Sequence, residues 1–187
     1  MARGAVLAAL FLMGAASAAC RDEHVVPSLQ AEGWGGVGAA TAFEKSALEA
    51  VLPGFTVTRE MRMSEGMEFP VYSIADEEGQ SLALIMEDGA APGKIGRMIF
   101  EDPRVSLHGR VFLGARYGAL AAKEPGLEDC LPGVEEASGT VFCADGAAEN
   151  IRLQFTGDWE GPDGVLPPPG ILETWKLSTL VWLAPQR

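Results

Sequence analysis

Hydrophobic residues fall at helical spacing early in the chain: Phe43, Ala47 and Val51 recur every fourth position, and Leu48 and Leu52 widen the same stripe. That pattern predicts a helix over 41–52 with one buried face. Thr41 and Glu44 have the spacing of a capping box at its start, and Pro53-Gly54 stops it. Beyond the stop the period changes to that of β structure, predicting strands at 55–63, 69–75, 81–87 and 95–100, with turns at Glu78-Gly79 and Pro92-Gly93.

The same landmarks return in the same order. Tyr117 to Gly126 repeats the helix and its Pro-Gly stop, Ala144-Asp145 answers Ala75-Asp76, and Asn150 to Phe155 answers Ser81 to Met86. Lys176 to Pro185 answers Lys94 to Pro103. The chain therefore reads as an α+β protein made of two tandem helix-plus-antiparallel-four-strand repeats packed into one compact unit. The repeats cover about 37–103 and 109–185 within a single domain, 37–187.

Ile151, Leu153 and Phe155 alternate with Arg152, Gln154 and Thr156, the pattern of a strand whose second face meets solvent. The second copy also carries an insertion, Gly157 to Gly170, too rich in Pro and Gly to join a ladder and so a surface excursion. It holds Trp159, Gly161, Pro162, Asp163 and Gly164, a candidate binding loop with an aromatic anchor. The alternative is that Trp159 folds back as a lid on its own core.

The first 19 residues have the form of an export signal: Arg3, an apolar run from Ala5 to Ala16, then Ser17-Ala18-Ala19. The run is too short to span a bilayer. Two processing routes fit. One is ordinary secretory cleavage; the other is lipoprotein processing, since Ala18, Ala19 and Cys20 match a lipobox, with Ser17 where Leu is usual. Lipidation of Cys20 is the favoured reading, because it leaves Cys130 and Cys143 as an even pair for a disulfide in an oxidising compartment. Two buried free thiols are the alternative. Residues 20–36, with Pro27 and several glycines, then read as the anchor cysteine and a flexible tether, on which His24 is a solvated residue and Trp34 docks on the domain. The address is the periplasmic side of a bacterial cell envelope, and Arg21 after the cysteine favours the outer membrane.

Composition narrows the chemistry. Lys and Arg total 14 against 26 Asp and Glu, a formal net charge of -12, and no basic cluster exists, which argues against a nucleic-acid partner. No nucleophile elbow occurs, and neither histidine lies beside a recognisable nucleophile; His108 reads as a loop residue. No metal or cofactor is expected. The cysteines and histidines lack zinc spacing, the acids of Asp158 to Gly164 depart from a calcium loop, and Met61, Met63 and Met67 read as core filling rather than copper ligands.

A set of residues adds a resemblance: Gly36-Val37-Gly38 with Thr41, Gly96-Arg97, Cys130 and Cys143, Phe155 to Pro167 around Trp159-x-Gly-Pro-Asp-Gly, Trp175-Lys176, and Leu180-Val181-Trp182. Together they resemble a bacterial envelope lipoprotein family of unknown function that includes the sigma-E-regulated lipoprotein. The resemblance implies a lipid-anchored envelope protein without an assigned activity and brings no catalytic residues. The expected function is non-catalytic: attachment to the membrane through Cys20 and binding of an envelope protein or glycan through the exposed sheet face and the Trp159 loop. The alternative is a carboxylate-dependent hydrolase of an envelope glycan, using Asp158 and Asp163.

Overall fold

Alternating apolar and polar positions dominate the chain, and they set out long antiparallel strands. The computed structural model describes residues 25–64, 66–124, 126–127 and 129–185. The export segment, Cys20 and His24 lie outside the described residues. In chain order the elements are β1 (Leu29–Gln30), β2 (Gly33–Trp34), α1 (Lys45–Val51), β3 (Thr56–Ser64), β4 (Met67–Ala75), β5 (Ser81–Glu87) and β6 (Ile95–Phe100). Then follow β7 (Ser106–Leu107), β8 (Val111–Phe112), α2 (Tyr117–Ala121), β9 (Cys130–Pro132), β10 (Thr140–Asp145), β11 (Ala148–Thr156), α3 (Pro169–Leu172) and β12 (Lys176–Leu183).

Eight strands form one sheet in the order β3-β4-β5-β6-β12-β11-β10-β9, with every neighbouring pair antiparallel. Two four-stranded meanders thus join edge to edge through β6 and β12, where Met98 faces Trp182 and Phe100 faces Leu180. Side chains alternate across a strand, so one face carries Val57, Ile74, Ile85, Met98, Trp182, Leu180, Ile151, Leu153, Phe155 and Val141, all buried. Leu48 of α1, Leu120 of α2, Leu172 of α3, and Leu29, Trp34, Leu107 and Val111 of a small sheet ordered β2-β1-β7-β8 belong to the same core. Trp34 packs its ring 5.5 Å from that of Phe100 and donates its indole N–H to the Pro27 carbonyl at 2.8 Å.

The α+β class expected from the sequence is corrected: the protein is mostly β. The helices are only 7, 5 and 4 residues long. Helices of that length carry no stability of their own and persist only by packing. The capping box does not form; Thr41 accepts the Gly38 amide at 3.1 Å, and Glu44 precedes the helix without a side-chain cap. Phe43 therefore lies outside α1, and Val51 faces solvent. Strand positions fared better, since β5 and β6 fall where the alternation put them. The segment read as a tether also differs: from Leu29 onward it carries β1 and β2, with Leu29 and Trp34 in the core. Met61, Met63 and Met67 are exposed rather than core filling. Cys130 and Cys143 face each other on β9 and β10 and are joined by a disulfide.

Candidate functional site

The excursion after β11 does not hold its aromatic out to solvent. Trp159 is half-buried against the core, and a Cβ on Gly161 would fall inside its ring, so Gly161 is required for that packing. Pro162, Asp163 and Gly164 stay exposed. The Ser138 side chain, helped by the amides of Glu135 and Gly164, holds the Asp163 carboxyl below the usual carboxylate range. The loop is thus pinned to the turn before β10, and Trp159 is the lid on its own core rather than a free anchor.

Two polar clusters were not legible as sites in the sequence. The linker from β6 to β8 sends one nitrogen-bearing side chain, Arg104 or His108, to each of two aspartates that end equivalent strands, Asp76 after β4 and Asp145 at the end of β10. His108 Nε2 lies 2.8 Å from Asp145 Oδ2 and its Nδ1 3.1 Å from Gln30 Oε1, with side chains only 14% and 8% exposed for His108 and Asp145. A cleft of about 260 Å³ beside them is lined by Arg110, Glu124, Gly126, Asp145, Gly146 and Ala147. Arg110 donates to Glu124 at 2.9 Å and holds its carboxyl below the ordinary range. The Asp145 and Glu124 carboxylates each have a hydrogen-bond partner within the cluster, His108 and Arg110, which suits a clamp between the linker and the second meander better than a ligand seat. The match of Ala75-Asp76 to Ala144-Asp145 was the one available signal.

Asp76 receives Arg104 at 2.6 Å and the Gln80 amide at 2.8 Å, while Asp102 receives the same guanidinium at 2.9 Å. Burial pushes the Asp76 carboxyl up, but the amides of Gln80 and Glu78 and the Arg104 guanidinium outweigh it and leave it below the ordinary value. Arg104, chiefly through its hydrogen bond, lowers Asp102 as well. A carboxyl depressed in the folded state stabilises above the unfolded pKa of 3.8, and that stabilisation is lost as pH falls through the lower folded value. Asp76→Asn is expected to weaken the protein at neutral pH and to differ less from the parent in acid. Urea midpoints at pH 7 and near pH 2.5 check this; an equal difference at both would refute it.

Among the described residues, no helix or small-sheet strand covers the outer face of the large sheet. Ser73, Leu84, Ile99, Val181 and Arg152 stand side by side across β4, β5, β6, β12 and β11. Val71, Met86, Arg97 and Leu183 form the next row. Leu84, Met86, Ile99, Val181 and Leu183 are all half-buried although the described helices and small sheet pack on the opposite face. The second row ends in a groove of about 1000 Å³ whose lining includes Ala39, Met86, Lys94, Arg97, Leu183 and Pro185. Gly96 is needed at its floor, since a Cβ would come 2.6 Å from the Asp88 Cα. Asp88 accepts the Ala90 amide at 2.8 Å and Glu87 accepts that of Gly93, so each carboxylate braces the turn with one oxygen. Among the described residues Lys94 and Arg97 have no ion-pair partner. An apolar face of this extent with two open cations suits a partner that offers an apolar surface beside an anionic group.

A family model described as a protein of unknown function, DUF1131, matches residues 25–184. The uncharacterised protein YfeY of Escherichia coli K12 is 24% identical over 152 residues, covering 81% of this chain and 76% of that protein. A crystal structure of the uncharacterised protein yfeY from Escherichia coli is similar at a TM-score of 0.66 and 22% identity, over 83% of this chain and 99% of that one. At that identity the likeness speaks to the fold.

Proposed function

The chain belongs to the DUF1131 family, whose function is unknown, and we propose that it is a non-catalytic, lipid-anchored envelope protein that binds another envelope component through the outer face of its eight-stranded sheet. The half-exposed row Leu84, Ile99 and Val181 at the centre of that face carries the reading. Isolated apolar residues are ordinary on a protein surface, whereas a contiguous apolar face marks an interaction site. Lys94 and Arg97 at its end add a preference for an anionic group. Cys20 attaches the domain to the membrane, on the periplasmic side. The glycan hydrolase has no comparable support, because Asp163 is engaged by Ser138 and two amides.

A photo-crosslinking residue placed at Ile99 or Val181 in growing cells is expected to capture a defined partner. The same residue at Phe112, exposed away from that face, gives none. Adding Ile99→Asp to the Val181 probe should lower the captured product about tenfold, the effect of a central apolar contact worth over 1 kcal/mol. Equal capture from Val181 with and without Ile99→Asp would sink the role of the face. Mass spectrometry of the N-terminal peptide checks the anchor: a diacylglyceryl group on Cys20 supports it, and a plain cysteine removes it.

A further inference from the structure

Among the described residues β3 is a free edge of the large sheet and is nine residues long, whereas the opposite edge, β9, has three. Proteins usually blunt long edges with a proline, a bulge, a covering element or charges, because the unpaired amides and carbonyls otherwise accept another strand; the charges on β3 are of mixed sign, so they can pair with a second strand as well as repel one. β3 contains no proline and runs opposite β4 without a bulge from Thr56 against Ala75 to Ser64 against Met67. Its far half is also apolar where it should be polar, with Met61 56% and Met63 69% exposed on the face that carries Val57 into the core. Residues two apart on a strand share a face, so Glu60 and Arg62 lie together on the outer side, where Arg62 Nη2 is 3.0 Å from Glu60 Oε2.

We propose that a second copy of this chain adds to this edge, antiparallel along β3, with the two-fold axis at Met61. In an antiparallel ladder, directly opposed residues both turn their amides toward the partner or both away, and both point to the same side of the sheet. A strand paired with its own copy must therefore place the axis on a residue, never between two. An axis at Arg59 sets arginine against arginine, one at Glu60 sets glutamate against glutamate, and one at Arg62 again sets arginine against arginine. Like charges directly opposed destabilise a pair of strands, and opposite charges support it.

Only Met61 escapes among these central positions. With the axis there, Glu60 of each copy faces Arg62 of the other, Met61 meets its own counterpart, Arg59 lies along Met63, and Thr58 faces Ser64. The two Glu-Arg pairs become a square of alternating charge on the outer side, while the exposed methionines cover one another on the inner side. Thioethers suit that contact, being flexible and polarisable. The axis is perpendicular to the sheet, so the outer apolar faces of the two copies lie on the same side and present one continuous binding surface.

The test is sedimentation of the full chain, purified in a nonionic detergent, across a range of concentrations. The parent chain is expected to dimerise. Glu60→Arg and Arg62→Glu should each raise the dissociation constant about tenfold or more, since each turns two attractive pairs into repulsive ones. The double variant Glu60→Arg/Arg62→Glu restores both pairs and should return the dimer. A register-specific arm uses oxidation: Met61→Cys should form an intermolecular disulfide, because opposed Cα atoms in such a ladder lie within disulfide reach. Ser64→Cys should not exceed the unsubstituted chain treated identically. A parent chain that stays monomeric, single reversals that dimerise like the parent, a double variant that fails to recover, or Ser64→Cys crosslinking as fast as Met61→Cys would each overturn the proposal.

Discussion

Trp182→Ala is expected to lower the unfolding free energy by about 4 kcal/mol. Trp182 is fully buried on β12, where the two meanders meet, with Met98 opposite on β6 and Ile151 opposite on β11. Its removal opens a cavity at the one seam that makes a single sheet of two units, and a packed interior relaxes only partly around such a loss. Its indole N–H also donates to the Ala31 carbonyl at 2.9 Å, tying the segment after β1 to the large sheet. Trp182→Phe separates the two contributions. It keeps most of the volume, and Ala31 retains the Asn150 amide at 2.9 Å, so the cost should fall to about 1–2 kcal/mol. Urea unfolding of the three proteins checks this, and equal midpoints for the phenylalanine and alanine variants would refute the packing account.

Removing the Cys130–Cys143 bridge by replacing both residues with alanine should cost about 3 kcal/mol. The bridge closes a loop of sequence separation 13, joining the short edge strand β9 to β10. Most of that stabilisation comes from restricting the unfolded chain, so the denaturant dependence is diagnostic. The unbridged unfolded chain is more extended and exposes more surface, so the slope of stability against urea should steepen as the midpoint falls. Trp182→Ala lowers the midpoint without that change of slope. A disulfide-free variant as stable as the parent would show that native packing alone holds β9 in place.

Strand placement was legible because alternation is a local signal: in Ile151 to Thr156 each side chain reports its own face. The helix was legible only in part. Leu48 is buried as the stripe requires, yet the turn at Thr41 spends its hydroxyl on Gly38, so helix begins only at Lys45 and Phe43 lies outside it. Local periodicity cannot weigh a seven-residue helix against strands of nine residues, and fold class followed the strands. Trp159 shows a similar limit: its loop was visible in the Pro and Gly content, but whether the ring faces water depends on the core beneath it.

By itself the sequence determined where the long strands β5, β6 and β11 run, that the excursion from Gly157 must lie at the surface, and that Cys130 and Cys143 are the natural pair outside the export region. Those properties follow from chain-local stereochemistry: the two-residue period, the missing proline amide, the count of thiols. Tertiary structure alone decided that β6 and β12 join the halves into one sheet, that Asp145 meets His108 and Asp76 meets Arg104, and that Leu84, Ile99 and Val181 form a row on an open face. Each of these is a contact between residues far apart in the chain, fixed by strand register, and register arises only when the strands pair.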